Sequence, residues 1–287
     1  MKPKALVVNG LGIGCHKEIK HAFEEAGAEA EIVHIRRILS GDIDIFGYQI
    51  LNLSGGFLHG DMLGAGICAA NELEHSGIKD KLLEYAGQGN IIYGQCNGFQ
   101  LLVKTGLLPG INNDYSKQTV TLTHNDVGNY RVDLMVPHMV EHGRKHFAFE
   151  GIEFITLACR HGEGKLMFHT PYGLMSGEQG ETNRQKVNEN HVLLRYVDPY
   201  RSYEPTTRLP HNPNGSVDGI AGLVNRNGNI FGHMAHPEVS VHFSRNPTFF
   251  RIKDQNRRVG IKSAESSQMY AHDDGYSIFA NIVKHVR

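Results

Sequence analysis

The sequence predicts an α/β protein with a doubly wound, mostly parallel open sheet, helices on both faces and antiparallel additions. Two observations carry that expectation. Short apolar, β-prone runs at 5–9, 32–35, 49–53 and 90–93 alternate with stretches of helical character, and strands alternating with helices imply parallel pairing through right-handed crossovers. Glycine-dense turns follow the first, third and fourth of these runs, at the carboxyl ends where open α/β sheets place their ligands.

Each element has its own justification. After strand 5–9, Gly10-Leu11-Gly12-Ile13-Gly14 makes a loop, and Ile19, Ala22, Phe23 and Ala26 then fall at helical spacing until Gly27 stops the helix. The glycines raise a dinucleotide site, but the third glycine of G-x-G-x-x-G falls on Cys15, and a turn that packs a helix tightly on the sheet explains them as well. Strands 32–35 and 49–53 follow. The loop Ser54-Gly55-Gly56-Phe57-Leu58-His59-Gly60-Asp61 holds more glycine than a plain turn needs and can aim backbone N–H groups inward. A helical region runs through Leu83 and Ala86 to strand 90–93, and Gly106 to Gly110 end the next helix. From about Thr119 the texture turns β-like at 120–123, 130–136 and 154–157. Cys159-Arg160-His161-Gly162-Glu163-Gly164 is either a functional loop or a hairpin tip, and 170–190 reads as a polar surface insertion. Strand 193–197, the turn Asn212-Pro213-Asn214-Gly215-Ser216, and strands 220–224 and 230–234 around Asn227-Gly228 come next. A long polar segment, 243–274, precedes a final helix with Ile278, Phe279, Ile282, Val283 and Val286 on one face.

Composition narrows the function. Lys and Arg total 29 against 30 Asp and Glu, so nothing suggests a nucleic-acid track or a membrane surface. Cys15, Cys68, Cys96 and Cys159 are widely spaced without a C-x-x-C pair, and Asn9 and Gly10 interrupt the N-terminal apolar run too early for a secretory leader. Reduced thiols in the cytoplasm are expected. Eighteen histidines invite a metal, yet most stand alone.

Two stretches carry the chemistry. In Asn90 to Leu102 a strand meets a helix at Cys96, bracketed by Gly94 and Gly98. That pattern has the demands of the G-x-S-x-G elbow, with sulfur as nucleophile and a helix N-terminus beside it favouring the thiolate. An inert buried cysteine is the plain alternative. In His233-Met234-Ala235-His236-Pro237-Glu238 the residue before proline is extended, so positions two apart share a side. Glu238 can then hold one nitrogen of His236 and leave the other for a nucleophile, which assigns Cys96, His236 and Glu238 to nucleophile, base and orienting acid. A metal set of His233, His236 and His242 lacks a ligand motif and ranks below both this and a plain surface histidine.

With Cys96 and His236-Pro237-Glu238 in that order, the sequence resembles the triad-type (class I) glutamine amidotransferases. Gly55-Gly56-Phe57 with Gly60-Asp61, Cys96-Asn97-Gly98-Phe99-Gln100, His161-Gly162-Glu163-Gly164 and Asn212-Pro213-Asn214-Gly215-Ser216 are similar to the glutaminase components of phosphoribosylformylglycinamidine synthase, of purine biosynthesis. The resemblance runs from about residue 5 to 238 and implies one amidotransferase domain over 1–287, with an insertion near 170–190 and an extended segment near 243–274. It implies that Cys96 attacks the side-chain amide of L-glutamine while backbone N–H groups of Gly55, Gly56, Phe57 and Asn97 hold the oxyanion. His236 would protonate the departing ammonia, Glu238 would orient His236, and Gln100 would contact the substrate. Ammonia would pass to a synthetase subunit that binds ATP and Mg, and a further small subunit can join them. This chain has no G-x-x-x-x-G-K-[ST] loop, and no cofactor or metal is expected on it. Gln95, Ser54 and Val239 depart from the family's apolar residue, proline and arginine at those places, which bears on fine specificity and partner contacts. The amidotransferase of another synthase, a stand-alone cysteine hydrolase, and a non-catalytic regulatory or binding module of the same fold are the competing readings.

Overall fold

Inward and outward side chains alternate along the first strands as a sheet covered on both faces requires. In β1 (Lys4–Asn9), Leu6 and Val8 join one apolar layer and Ala5 and Val7 the other. The computed structural model describes residues 1–141, 145–168, 177–246, 248–261 and 271–287. β2 (Glu29–His34), β3 (Ile50–Leu53) and β4 (Ile91–Gln95) complete a parallel half in the order β2-β1-β3-β4. α1 (His16–Glu25) packs on one face through Ile19, Ala22 and Phe23. α2 (Ile35–Leu39), α3 (Ile67–His75), α4 (Ile78–Gly87) and α5 (Asn97–Lys104) supply the other layer. The predicted second strand thus ends one residue early, at His34, and the single helical region before β4 is two helices broken at Ser76-Gly77.

Sequence order reverses between β1 and β3, which makes their carboxyl ends the topological switch point of the sheet. Those two loops also pair with each other: Phe57 N–H donates to Gly12 O at 2.8 Å, and Gly14 and Cys15 N–H donate to Gly55 O at 3.2 and 3.1 Å. Gly12 serves this pairing, since a Cβ there would lie 1.9 Å from Phe57 O.

β5 (Thr121–Thr123) pairs with β8 (Lys165–Met167) in a small separate ladder, and β6 (Arg131–Val140) and β7 (Phe154–His161) extend the main sheet with β9 (Val192–Asp198), which carries the short β10 (Glu204–Pro205). β11 (Ile220–Val224), β12 (Ile230–His233) and β13 (Ala235–His236) complete it. From β4 the order runs β12-β11-β9-β6-β7-β13; β12 is parallel to β4 and every later pairing is antiparallel. Met234 alone separates β12 from β13, so the antiparallel half curls until its last strand returns beside its first.

Two polar stretches differ from the expectation. α6 (Gly177–Asn190) occupies most of the predicted surface insertion; 169–176 lie outside the described residues. Its anchors are mainly polar: Arg184 grips Asp218 with two bonds of 2.8 and 2.6 Å, Asn183 donates to Thr119 O at 3.0 Å, and Val187 is its one apolar residue in the core. An apolar periodicity search cannot see such a helix. Within 243–274, α7 (Phe249–Arg258) forms with no buried residue, and 262–270 lie outside the described residues. The closing α8 (Asp274–His285) packs Ile278, Phe279, Ile282 and Val283 on the α1 side of the sheet. Among the described residues no helix is long and apolar enough to cross a membrane.

Candidate active site

β4 and α5 meet at Cys96, whose backbone stands at φ 50, ψ −108, a conformation that costs a non-glycine residue on the order of 1–3 kcal/mol. The neighbours allow it. A Cβ on Gly98 would lie 2.0 Å from Leu53 O and one on Gly94 would lie 2.7 Å from the Gly98 carbonyl carbon, so the strand and helix cross where only glycine fits. Cys96 N–H donates to His233 O at 2.9 Å, tying the turn to β12, and the thiol points at Arg160 O, 3.6 Å away.

The turn after β13 delivers the second group. His236 Nδ1 lies 2.6 Å from Glu238 Oε1, and both side chains are nearly sealed from solvent. Nε2 has no hydrogen-bond partner among the described residues, so it is the free nitrogen. Burial disfavours the imidazolium, but the Glu238 carboxylate outweighs it, with help from Cys96 and Cys15, and holds His236 well above its ordinary pKa. Gly55 sits between the two groups: a Cβ there would come 2.9 Å from His236 Cε1 and 3.4 Å from Cys96 Cβ.

These residues face a cavity of about 570 Å³ lined by Gly56, Phe57, Cys96, His236 and Glu238, together with Cys15, Tyr130 and Arg160. Cys15 and Tyr130 are not among the site residues the sequence offers, and Arg160 falls in the 159–164 stretch that reads as a functional loop or a hairpin tip. Cys15 Sγ lies 3.6 Å from His236 Nδ1, and burial pushes its thiol pKa up. Its signal was present in the chain, at the glycine position of the first loop. Tyr130 donates to Arg160 O at 2.9 Å, and its ring lies 5.8 Å from Phe57 across the mouth.

Two predicted site residues have other duties. Phe57 lines the cavity, but its N–H is taken by Gly12 O. Gln100 does not reach the cavity: it donates to Glu163 O and accepts from Asn97 Nδ2 at 2.9 Å. One turn beyond Cys96, Gln100 is held in place by these bonds. Asn97 does similar work, accepting from Leu58 N–H at 3.0 Å and donating to Asp61 at 3.1 Å, which staples the 55–61 loop to α5. The two remaining motifs interlock. Ser216 donates to Gly164 O at 3.2 Å and accepts from Leu166 N–H at 3.0 Å, while Asn125 takes Gly164 N–H at 3.0 Å and donates to His161 O at 2.8 Å. His161-Gly162-Glu163-Gly164 is therefore the end of β7 and the turn into β8, held against Asn212–Ser216.

The three histidines weighed as a metal set do not converge. His233 is buried with Nε2 2.8 Å from Tyr93 Oη, its pKa driven down to about 3 chiefly by burial; His236 belongs to Glu238; His242 lies with Glu25 and His272.

An elbow cysteine, a buried His–Glu pair and a cavity at the switch point of a doubly wound sheet define a triad amidotransferase. The chain belongs to the CobB/CobQ-like glutamine amidotransferase domain family, whose model matches residues 2–286. Within that class its relatives are PurQ subunits of phosphoribosylformylglycinamidine synthase. The Methanococcus maripaludis subunit is 33% identical over 259 residues, 90% of each chain. The Dehalococcoides mccartyi subunit is 33% identical over 287 residues, covering 100% of this chain and 98% of the relative. The structure of PurLQS from Thermotoga maritima superposes with a TM-score of 0.66 at 26% identity, over 100% of both chains.

Proposed function

We propose that the chain is the glutamine-hydrolysing subunit of phosphoribosylformylglycinamidine synthase, acting in the cytoplasm and passing ammonia to a synthetase subunit that carries ATP and Mg. The observation that carries the reading is the opening of Cys96 and the His236–Glu238 pair onto one cavity at the end of β4. Cys96 sulfur attacks the side-chain amide carbon of glutamine. The carbonyl oxygen becomes an oxyanion, and because the Phe57 N–H is occupied, its donors reduce to the amides of Gly55, Gly56 and Asn97. Each such donor is worth about a hundred- to a thousandfold in turnover.

His236, whose proton is held tightly by Glu238, gives it to the departing nitrogen; the C–N bond breaks, ammonia leaves, and a glutamyl thioester remains on Cys96. Neutral His236 then takes a proton from water as the water oxygen attacks the thioester. Breaking the C–S bond frees glutamate and regenerates the thiolate beside protonated His236, so charge and atoms close over the cycle. The bond from Glu238 to Nδ1 keeps Nε2 turned to the reaction.

The test is synthesis in the complex. With its synthetase partner, glutamine, ATP and the formylglycinamide ribonucleotide, the chain should make the amidine. Cys96→Ala should cut glutamine-dependent synthesis by about four orders of magnitude or more while sparing synthesis from added ammonia. Loss of both would make Cys96 structural and overturn the reading, and strong glutaminase turnover without any partner would favour a stand-alone hydrolase.

A further inference from the structure

Toward the far end of α1, ten residues and about 15 Å of helix beyond Cys15, a second cluster forms from three separate stretches of chain. Glu25 comes from the last turn of α1, His242 lies just after the turn that holds Glu238, and His272 stands just before α8. Glu25 Oε2 lies 3.6 Å from His272 Nε2 and 4.0 Å from His242 Nε2, and the three ligand atoms all lie within 4.8 Å of one another. Those separations are too long for hydrogen bonds. Ligand atoms around a tetrahedral ion with bonds of about 2.0–2.1 Å stand about 3.3 Å apart, so a small inward turn of side chains brings the set onto one ion.

The surroundings favour such use. His21 is one turn back from Glu25 on the same face of α1, and its ring centroid lies 5.9 Å from that of His242; its nitrogens stand outside the close set, so it joins only by a turn of its side chain. The His272 ring is stacked on Tyr276 at 3.5 Å, which fixes its plane.

The place in the fold gives the cluster a purpose. His242 and His272 face each other in an isolated antiparallel bridge, with Phe243 N–H donating to Ala271 O at 3.2 Å and Asp273 N–H to Val241 O at 2.9 Å. This bridge is the mouth of the 243–271 excursion, whose only described α-helix, α7, buries nothing. An ion held by Glu25, His242 and His272 would cross-link both ends of the excursion to α1 and supply the anchorage that α7 lacks.

We propose that Glu25, His242 and His272, with His21 within reach as the fourth ligand, form a structural site for a divalent cation of the zinc class. Two imidazoles and a carboxylate are donors suited to that ion. The site is separate from the glutamine chemistry, and its test does not depend on that chemistry.

The experiment is titration of the chelator-stripped full chain with Zn²⁺, read by calorimetry and melting temperature, with Co²⁺ as a spectroscopic stand-in. One ion per chain, a raised melting temperature reversed by chelator, and visible Co²⁺ absorption of a nitrogen- and oxygen-ligated ion are expected. His242→Ala and His272→Ala should each weaken binding about a hundredfold or more, and Glu25→Gln, isosteric on an exposed helix face, should do the same without disturbing the fold. His236→Ala should leave the affinity unchanged. Absence of binding overturns the proposal, and so does binding that survives these three variants but is lost in His236→Ala, because the ion would then sit among Cys15, His236 and Glu238.

Discussion

The titration of His236 governs the chemistry at the level of single residues. Its imidazolium is held up mainly by Glu238 against the cost of burial, so the proton needed for ammonia departure is kept through neutral pH and lost only on the alkaline side. Replacing Glu238 with Gln removes the largest stabilising charge and should move the alkaline limb of the glutaminase profile to lower pH, with turnover falling as well; an unmoved limb would dissociate that limb from His236. Stability follows the same sign. A folded pKa above the unfolded one gives a contribution fully present below the unfolded imidazole range and lost as pH climbs through the folded value. Urea midpoints for wild type and Glu238→Gln, compared from about pH 6 to about pH 10, should therefore converge as the solution becomes alkaline. Cys15 supplies a contrast. It touches His236 Nδ1, which Glu238 already holds, so Cys15→Ser should retain glutaminase turnover within about tenfold, whereas Cys96→Ser should not.

Among the elements, the β4–α5 elbow is where sequence and structure agree most closely, and the reason is locality. Gly94, Cys96 and Gly98 meet within five consecutive residues, so a strand-to-helix pattern with two glycines is enough to place a strained cysteine at the turn. The crossing is intolerant: Gly98→Ala sets a methyl 2.0 Å from Leu53 O and should cost about 3 kcal/mol in a urea melt and lower labelling of Cys96 by an electrophilic glutamine analogue in proportion. His236 and Glu238 were legible for the same local reason, two residues apart beside a proline. Cys15 and Tyr130 were not, because only the packing of distant parts of the chain brings them to the cavity, and Arg160, though in the stretch offered as a functional loop, proves to lie near the end of β7. The bonds that Phe57 and Gln100 make were not legible either. A motif fixes which residues recur, but not whether an N–H is already taken by Gly12 or an amide by Glu163. α6 escaped because Arg184, Asn183 and Asn188 hold it through polar bonds rather than an apolar stripe.

For the whole molecule, the doubly wound half was readable because its strands are buried on both faces and appear as plain apolar runs. The curl of the antiparallel half was not, since nothing in 230–238 announces that Met234 carries the chain from one strand partner to another. α7 buries no side chain, so replacing Phe249–Arg258 with a short Gly/Ser linker should leave the urea midpoint within about 0.5 kcal/mol of wild type, and a larger loss would mean that the excursion belongs to the core. The curl has one more consequence, for solubility. At one end of the sheet β13 covers Ala158 and Cys159 of β7, and Asp274 takes the next outward amide, that of Thr156, at 3.3 Å. At the other end β2 carries Glu29 and Glu31, charges that discourage a foreign strand from adding on. With both margins blunted, the sheet is a poor template for strand-on-strand aggregation.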